Sequence, residues 1–153
     1  MNLCMKEVCA DNWKAIALLS VTEEQQPFIE SNAYSIAQSM FEHEWKSVGL
    51  YDGETLVGYA MYGPKRSTGH IWLDRFMIDQ HYQGQGYATR FLQILLKQMT
   101  ETYESNQIFL SVFAKNKTAQ RLYEKFGFRL NGETDTTSKV EGLVMELNLK
   151  NRK

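Results

Sequence analysis

Tyr82-Gln83-Gly84-Gln85-Gly86-Tyr87-Ala88 joins an apolar, strand-like run to a long amphipathic pattern, and the organisation of the chain follows from it on both sides. A glycine-bearing turn that opens a helix presents unpaired backbone N–H groups and the positive end of a helix dipole. Such a junction can seat a phosphate or diphosphate. Gly84 and Gly86 let the backbone approach an anion with no Cβ in the way. The same residues would also serve a tight strand-to-helix turn with no ligand.

Downstream of Ala88, the residues Phe91, Leu92, Leu95, Leu96, Met99 and Tyr103 recur at three-and-four spacing, with Gln93, Lys97 and Glu101 opposite. That is one buried helix stripe over four turns. Upstream, His70 to Ile78 reads as the strand that feeds the turn. Trp45 to Tyr51 and Leu56 to Tyr62 read as an antiparallel hairpin across Asp52-Gly53-Glu54. Two helices precede it. The first carries Trp13, Ile16, Ala17 and Leu19 and can be capped by Asp11, with Asn12 or Thr22 as other residues that could punctuate it. The second starts at Ser31 or Asn32 with Ala33, Ile36, Ala37, Met40 and Phe41 on one face. After the long helix come a strand from Ile108 to Phe113 and a helix from Lys117 to Phe126, capped by Asn116 and stopped by Gly127. Strands at Phe128 to Leu130 and Leu143 to Leu149 flank a polar connection from Asn131 to Lys139. The order implies an α/β domain, a mixed sheet covered by helices with parallel strands near its centre. No linker or repeat divides residues 1–153, which read as a single domain.

Composition narrows the functions. Lys plus Arg number 17 against 18 for Asp plus Glu, a net charge of −1. This argues against a nucleic-acid binder, which would carry a basic face. The tail with Lys150, Arg152 and Lys153 reads as solvated. Cys4 and Cys9 are too few and too close for a disulfide framework, and no partner stands at zinc-ligand spacing, so no metal is expected. There is no secretory leader pattern and no apolar run near the ~20 residues that span a bilayer. The expectation is a soluble cytoplasmic protein.

Two motifs carry a family resemblance. Gln83, Gly86 and Ala88 fill the diphosphate turn of the GNAT superfamily of acetyl-coenzyme A-dependent N-acetyltransferases. Asn116, Ala119, Leu122, Tyr123, Gly127 and Phe128 match a second segment of that family. The resemblance covers roughly Trp45 to Leu149. It implies a mostly antiparallel sheet with parallel central strands, helices on both sides, and acetyl-CoA as cosubstrate. A narrower resemblance is to bacterial spermine/spermidine acetyltransferases. It rests on Phe28-Ile29-Glu30-Ser31, Val48-Gly49-Leu50-Tyr51, Val57 to Gly63, and Trp72-Leu73-Asp74-Arg75-Phe76.

The resemblance implies roles as well. Tyr123 would protonate the departing thiolate; on spacing alone it could be a core aromatic. The main chain of Phe76, Met77 and Ile78 would pair with the pantetheine arm. Gln83, Gly84, Gln85, Gly86, Tyr87 and Ala88 would hold the diphosphate, with a hydroxyl from Thr89. Asn116 would touch the cofactor or merely cap its helix.

Asp74 is a carboxylate inside an apolar run, costly without a partner. It is a candidate base for the amine proton or one half of a structural ion pair. Strand alternation places it with Trp72 and Phe76 and makes Arg75 an awkward partner. Glu23, Glu24, Glu30, Glu42 and Glu44 lie in the helical region that, by the resemblance, borders the acceptor side and would attract a polycationic amine. Glu30 comes first because it stands in the segment matching the polyamine branch, and Glu24 next. As a set they also read as a solvated helix face. Neither cysteine lies near this set, so transfer would be direct. Other amine acceptors, or a non-catalytic acyl-CoA-binding module, remain as alternatives. A free edge beyond the last strand could pair two subunits into a homodimer.

Overall fold

In the computed structural model, residues 1–136 and 141–149 are described. The end of the polar connection (137–139) and the basic tail lie outside them. Seven strands form one sheet in the order β1-β2-β3-β4-β5-β7-β6. They are β1 (Leu3–Glu7), β2 (Lys46–Asp52), β3 (Thr55–Pro64), β4 (Ile71–Ile78), β5 (Gln107–Phe113), β6 (Arg129–Asp135) and β7 (Gly142–Asn148). Neighbours are antiparallel except β4 and β5. Helices α1 (Trp13–Leu18) and α2 (Asn32–Phe41) cover one face. Helices α3 (Tyr87–Tyr103) and α4 (Lys117–Lys125) cover the other. Among the described residues no helix is long and apolar enough to cross a membrane.

Period-two alternation in β3 divides the core. Tyr59 and Met61 pack with Ile16 and Ile36, whereas Ala60 and Tyr62 pack with the α3 stripe. Phe91, Leu92, Leu95 and Met99 of that stripe are fully buried. Truncating one, as in Leu92→Ala, should cost about 2–5 kcal/mol in transfer and cavity terms.

Four expectations are corrected or narrowed. β1 pairs with β2 although its sequence, with Lys6 and Glu7, gave no strand reading. Of the residues that could start α1, the structure selects Asn12 over Asp11; its side chain accepts from the Cys9 N–H at 2.8 Å and donates to the Glu7 carbonyl at 3.0 Å. β6 runs through Asp135, well past Leu130. Finally, α2 buries Asn32, Ser35 and Ile36, while Met40 and Phe41 are 63% and 85% exposed. The face turned inward is polar because the sheet beneath it presents Arg75. The guanidinium donates to Ser35 Oγ and Gln38 Oε1, each at 3.1 Å.

The site is made by a defect in the sheet. β4 and β5 are in register at Trp72 and Phe109 and part beyond that point. Opposite the parting, β4 carries a bulge: Met61 faces Arg75 and Tyr62 faces Leu73, leaving Asp74 as the extra residue. A bulge bends its strand and re-aims side chains. The main chain of Asp74 to Ile78 therefore has a strand partner on the β3 side only, and a wedge opens in mid-sheet.

Candidate active site

A cleft of about 1130 Å³ fills this wedge and extends over the glycine turn. Its walls are Leu73 to Ile78 from β4, Ser111 to Phe113 from β5, the turn from Tyr82 to Thr89, α4, and the segment between α1 and α2.

In the turn, Gly84 and Gly86 have φ of 79° and 86°, the left-handed region that favours glycine. A Cβ at either would meet no protein atom within 4 Å. Backbone conformation, not internal packing, therefore selects glycine, and open space lies in front of the amides. The first intrahelical bond of α3 runs from the Arg90 N–H to the Gly86 carbonyl at 3.3 Å. The amides of Gly84 to Thr89 have no acceptor among the described residues. They are a set of donors at the positive end of a helix of 17 residues.

Side chains brace the turn from behind. Gln83 Nε2 donates to the Ile78 carbonyl at 2.9 Å and to Gln25 Oε1 at 3.0 Å. The Tyr87 hydroxyl donates to Asp52 Oδ2 at 2.6 Å, so that ring is structural. Asp79 accepts from the Ser20 and His81 N–H groups. Gln85 is exposed and outside the cleft, and Thr89 lines it.

Tyr123 lines the wedge from α4 and is 9% exposed. Its hydroxyl has no hydrogen-bond partner among the described residues, and burial pushes its pKa well above the usual phenol range. It is protonated at neutral pH. Asn116 also lines the cleft, and its Oδ1 caps α4 by accepting from the Ala119 N–H at 3.2 Å.

Asp74 pairs with Arg75 after all, Oδ2 to a guanidinium nitrogen at 2.6 Å. The expectation that alternation would keep them apart fails because of the bulge. For the same reason Trp72 and Phe76 lie on opposite faces of the sheet, Trp72 toward α1–α2 and Phe76 toward α3. Burial raises the Asp74 pKa, against the downward pull of Arg75 and Lys65. Lys65 lies 3.3 Å from Asp135 and 4.1 Å from the centroid of the Trp72 ring.

Glu30 is 8% exposed, lines the cleft, and has a buried Oε1 with no hydrogen-bond partner among the described residues. Glu42 and Glu44 line the same space, whereas Glu24 is exposed and does not. Sequence reasoning missed Gln25, Lys65 and Asp135, whose partners stand 58 and 70 residues away. It also missed Phe28 and Phe113, which stack at 5.2 Å where the α1–α2 segment meets the end of β5. No local signal marks such pairs. Among the described residues no group of acids, histidines and cysteines could hold a metal.

The profile of the acetyltransferase (GNAT) family matches residues 13–128. The chain belongs to the GNAT family. It is 42% identical over 141 residues to a probable spermine N(1)-acetyltransferase of Bacillus subtilis subsp. natto, covering 88% of this chain and 93% of that one. It is 41% identical, at the same coverage, to the spermine/spermidine N(1)-acetyltransferase of Bacillus subtilis. The fold is similar to spermidine N-acetyltransferase from Vibrio cholerae, solved with CoA and spermine. There the TM-score is 0.76, with 16% identity over 97% of this chain and 96% of that one. This GNAT protein is an acetyl-CoA-dependent N-acetyltransferase. Its free turn amides and the one-sided β4 edge fit the diphosphate and the amide-bearing arm of that cosubstrate.

Proposed function

We propose that this enzyme acetylates a polyamine, spermidine or spermine, by direct transfer in the cytoplasm. The observation that carries the acceptor is Glu30, a carboxylate buried in the cleft wall with an oxygen that has no partner among the described residues. A buried polar atom without a hydrogen bond costs stability, and a substrate ammonium would satisfy it. Glu42 lines the same cleft and adds negative potential for a polycation, whereas Glu44 beside it is offset by Arg66 at 3.3 Å. The two Bacillus relatives carry names with the same acceptor.

Acetyl transfer needs a neutral amine, yet an aliphatic amine with a pKa of ~10.4 is charged at neutral pH. In our reading Asp74 takes that proton, directly or through one water. Arg75 holds the carboxylate in place, and the raised pKa makes it a better base than an exposed aspartate. The amine nitrogen then bonds to the thioester carbon as the carbon–sulfur bond breaks, and Tyr123 gives its phenolic proton to the departing thiolate. The second proton, shed by the new amide nitrogen, returns to the phenolate through water, and Asp74 releases the first to solvent. A thiolate leaving into the same wedge is also poorly solvated, which raises its affinity for the phenolic proton. The main chain of Phe76, Met77 and Ile78 aligns the arm. The amides from Gly84 to Thr89 hold the diphosphate, and Asn116 supports that wall through α4. Fixing both reactants in one wedge supplies much of the rate.

A thiol-release assay over spermidine, spermine, putrescine, a lysine peptide and an aminoglycoside tests the acceptor. The expected outcome is highest kcat/KM for spermidine or spermine. Turnover confined to the peptide or the aminoglycoside would overturn the reading.

A further inference from the structure

Helix α2 is amphipathic in the reverse sense. Its inward side carries Asn32, Ser35 and Ile36, while Ala33, Tyr34, Ala37, Met40 and Phe41 are exposed. At about 100° per residue these five fall within one arc of roughly 120°, an apolar face that no described residue covers. Gln38 and Glu42 follow Tyr34 at steps of one turn, and all three line the cleft, so the face runs along its rim. No residue of α2 is charged. An ordinary surface helix turns charged and polar side chains to solvent. Tyr, Phe and Met with no charge among them is instead the composition of an interface core.

The spacing of the face says what covers it. Its positions are symmetric about Ala37, with Tyr34 and Met40 nearer on either side and Ala33 and Phe41 one step beyond. A second α2 laid antiparallel across a two-fold axis at Ala37 therefore sets Ala33 against Phe41, Tyr34 against Met40, and Ala37 against its own copy. The small Ala33 receives the large Phe41, a thioether meets an aromatic ring, and the paired alanines let the helices approach closely.

We propose that the enzyme dimerises through α2, with this apolar face closing on the same face of a second copy. Such a contact is isologous, so each residue acts twice. Tyr34, Met40 and Phe41 are 57%, 63% and 85% exposed. On the scale of roughly 150–250 Å² for a large side chain, they and the two alanines offer on the order of 500 Å² per protomer. Two such faces reach the ~1,000 Å² expected of a specific interface, at the small, reversible end of the range. The sheet edge at β6 is blunted by comparison. It carries Arg129 and Glu133, and its register against β7 shifts between Leu130 and Thr134. Pairing also holds the helix whose Ser35 and Gln38 accept from the Arg75 guanidinium, and so steadies the Asp74–Arg75 pair in the cleft. The contact stands whatever amine the enzyme takes.

Sedimentation velocity on the full chain from about 1 to 100 μM tests the pairing. The wild type should be dimeric at the top of that range. Phe41→Lys places a charge suited to a helix C-terminus and should raise the dissociation constant by about 10-fold or more, the scale of a buried aromatic lost on each side. Its far-UV circular dichroism should match the wild type, because the side chain is exposed in the single chain. In a Cys4→Ser/Cys9→Ser background, Ala37→Cys should give a disulfide-linked dimer on mild oxidation, whereas Leu130→Cys, on the β6 edge, should not. A wild type still monomeric at about 100 μM overturns the proposal. So does a dimer as tight in Phe41→Lys as in the wild type, or linkage through Leu130→Cys in place of Ala37→Cys.

Discussion

Phe128 holds Tyr123 twice. Its ring meets the phenol edge-on with centroids 5.7 Å apart at 64°, and its backbone N–H donates to the Tyr123 carbonyl at 3.1 Å. The Gly127 N–H donates to the Glu124 carbonyl at 3.0 Å, and Gly127 has φ 101°. Together these make a Schellman cap with its usual apolar contact. The Leu-Tyr…Gly-Phe segment is thus a device that ends α4 and fixes one aromatic side chain in the wedge.

Tyr123→Phe should separate catalysis from packing. The hydroxyl has no hydrogen bond among the described residues, so the melting temperature should hold. We expect kcat to fall by about 10²-fold, the lower end for loss of a positioned proton donor. The KM for acetyl-CoA should stay close to wild type. Steady-state kinetics beside a thermal melt would check this, and an unaltered kcat would remove Tyr123 from the mechanism.

Gly127→Ala tests the cap. Forcing an alanine into the left-handed region costs about 1–2 kcal/mol. For a chain of 153 residues that lowers Tm by several degrees. If the cap also positions the phenol, kcat should drop in folded protein at 20 °C, well below the transition. A variant with lowered Tm and full kcat would restrict the cap to stability.

Asp74 predicts the acid limb of the pH–rate profile. Burial raises its pKa above the ordinary 3.8. A base must be ionised, so kcat/KM should fall as pH drops through that raised value, and Asp74→Asn should remove the limb along with most activity. Arg75→Gln withdraws the charge that favours the carboxylate, so the limb should move to higher pH. Because breaking a buried pair from one side costs about 3–5 kcal/mol, that profile belongs at low temperature. In linkage terms, a raised folded pKa gives stability that is complete below the unfolded value and lost as pH rises through the folded one. A limb unmoved in Arg75→Gln would make the pair merely structural.

How far the sequence could be read depended on whether the cause of each feature was local. The α3 stripe, the β2–β3 hairpin and the Asn116 cap depend on neighbours within a few residues, and all were legible. The bulge at Asp74 was not, because it exists only in the register of β4 against β3. Strict alternation puts Trp72 and Phe76 on one face, whereas the bulge between them turns them to opposite faces. The buried face of α2 failed for a related reason. Ser35 and Gln38 are inward because Arg75, 40 and 37 residues away, needs acceptors. Apolar periodicity therefore chose Met40 and Phe41 instead. The acids show the same division. Composition does not tell Glu30 from Glu24, and only the resemblance of Phe28 to Ser31 favours the first; it is the path of the α1–α2 segment that turns Glu30 into the cleft and leaves Glu24 in solvent.

Glu30 gives a prediction with opposite signs in stability and function. Its Oε1 is buried with no partner among the described residues, so Glu30→Met, close in volume and apolar, removes a desolvation cost of about 1–3 kcal/mol. The melting temperature should rise. If that oxygen waits for an ammonium group, the same change should raise the spermine KM by about 10-fold or more, since a hydrogen bond to a charged group is worth about 1.5–3 kcal/mol. The acetyl-CoA KM, which in our reading depends on the glycine turn, should hold. Such a trade between stability and binding is what a site group kept at a cost produces. A glutamate that only supported the fold would lose stability on replacement and leave spermine affinity where it was. Melting curves and spermine saturation kinetics on this one variant therefore separate the two roles: a fall in Tm with an unchanged spermine KM would take Glu30 out of the acceptor site.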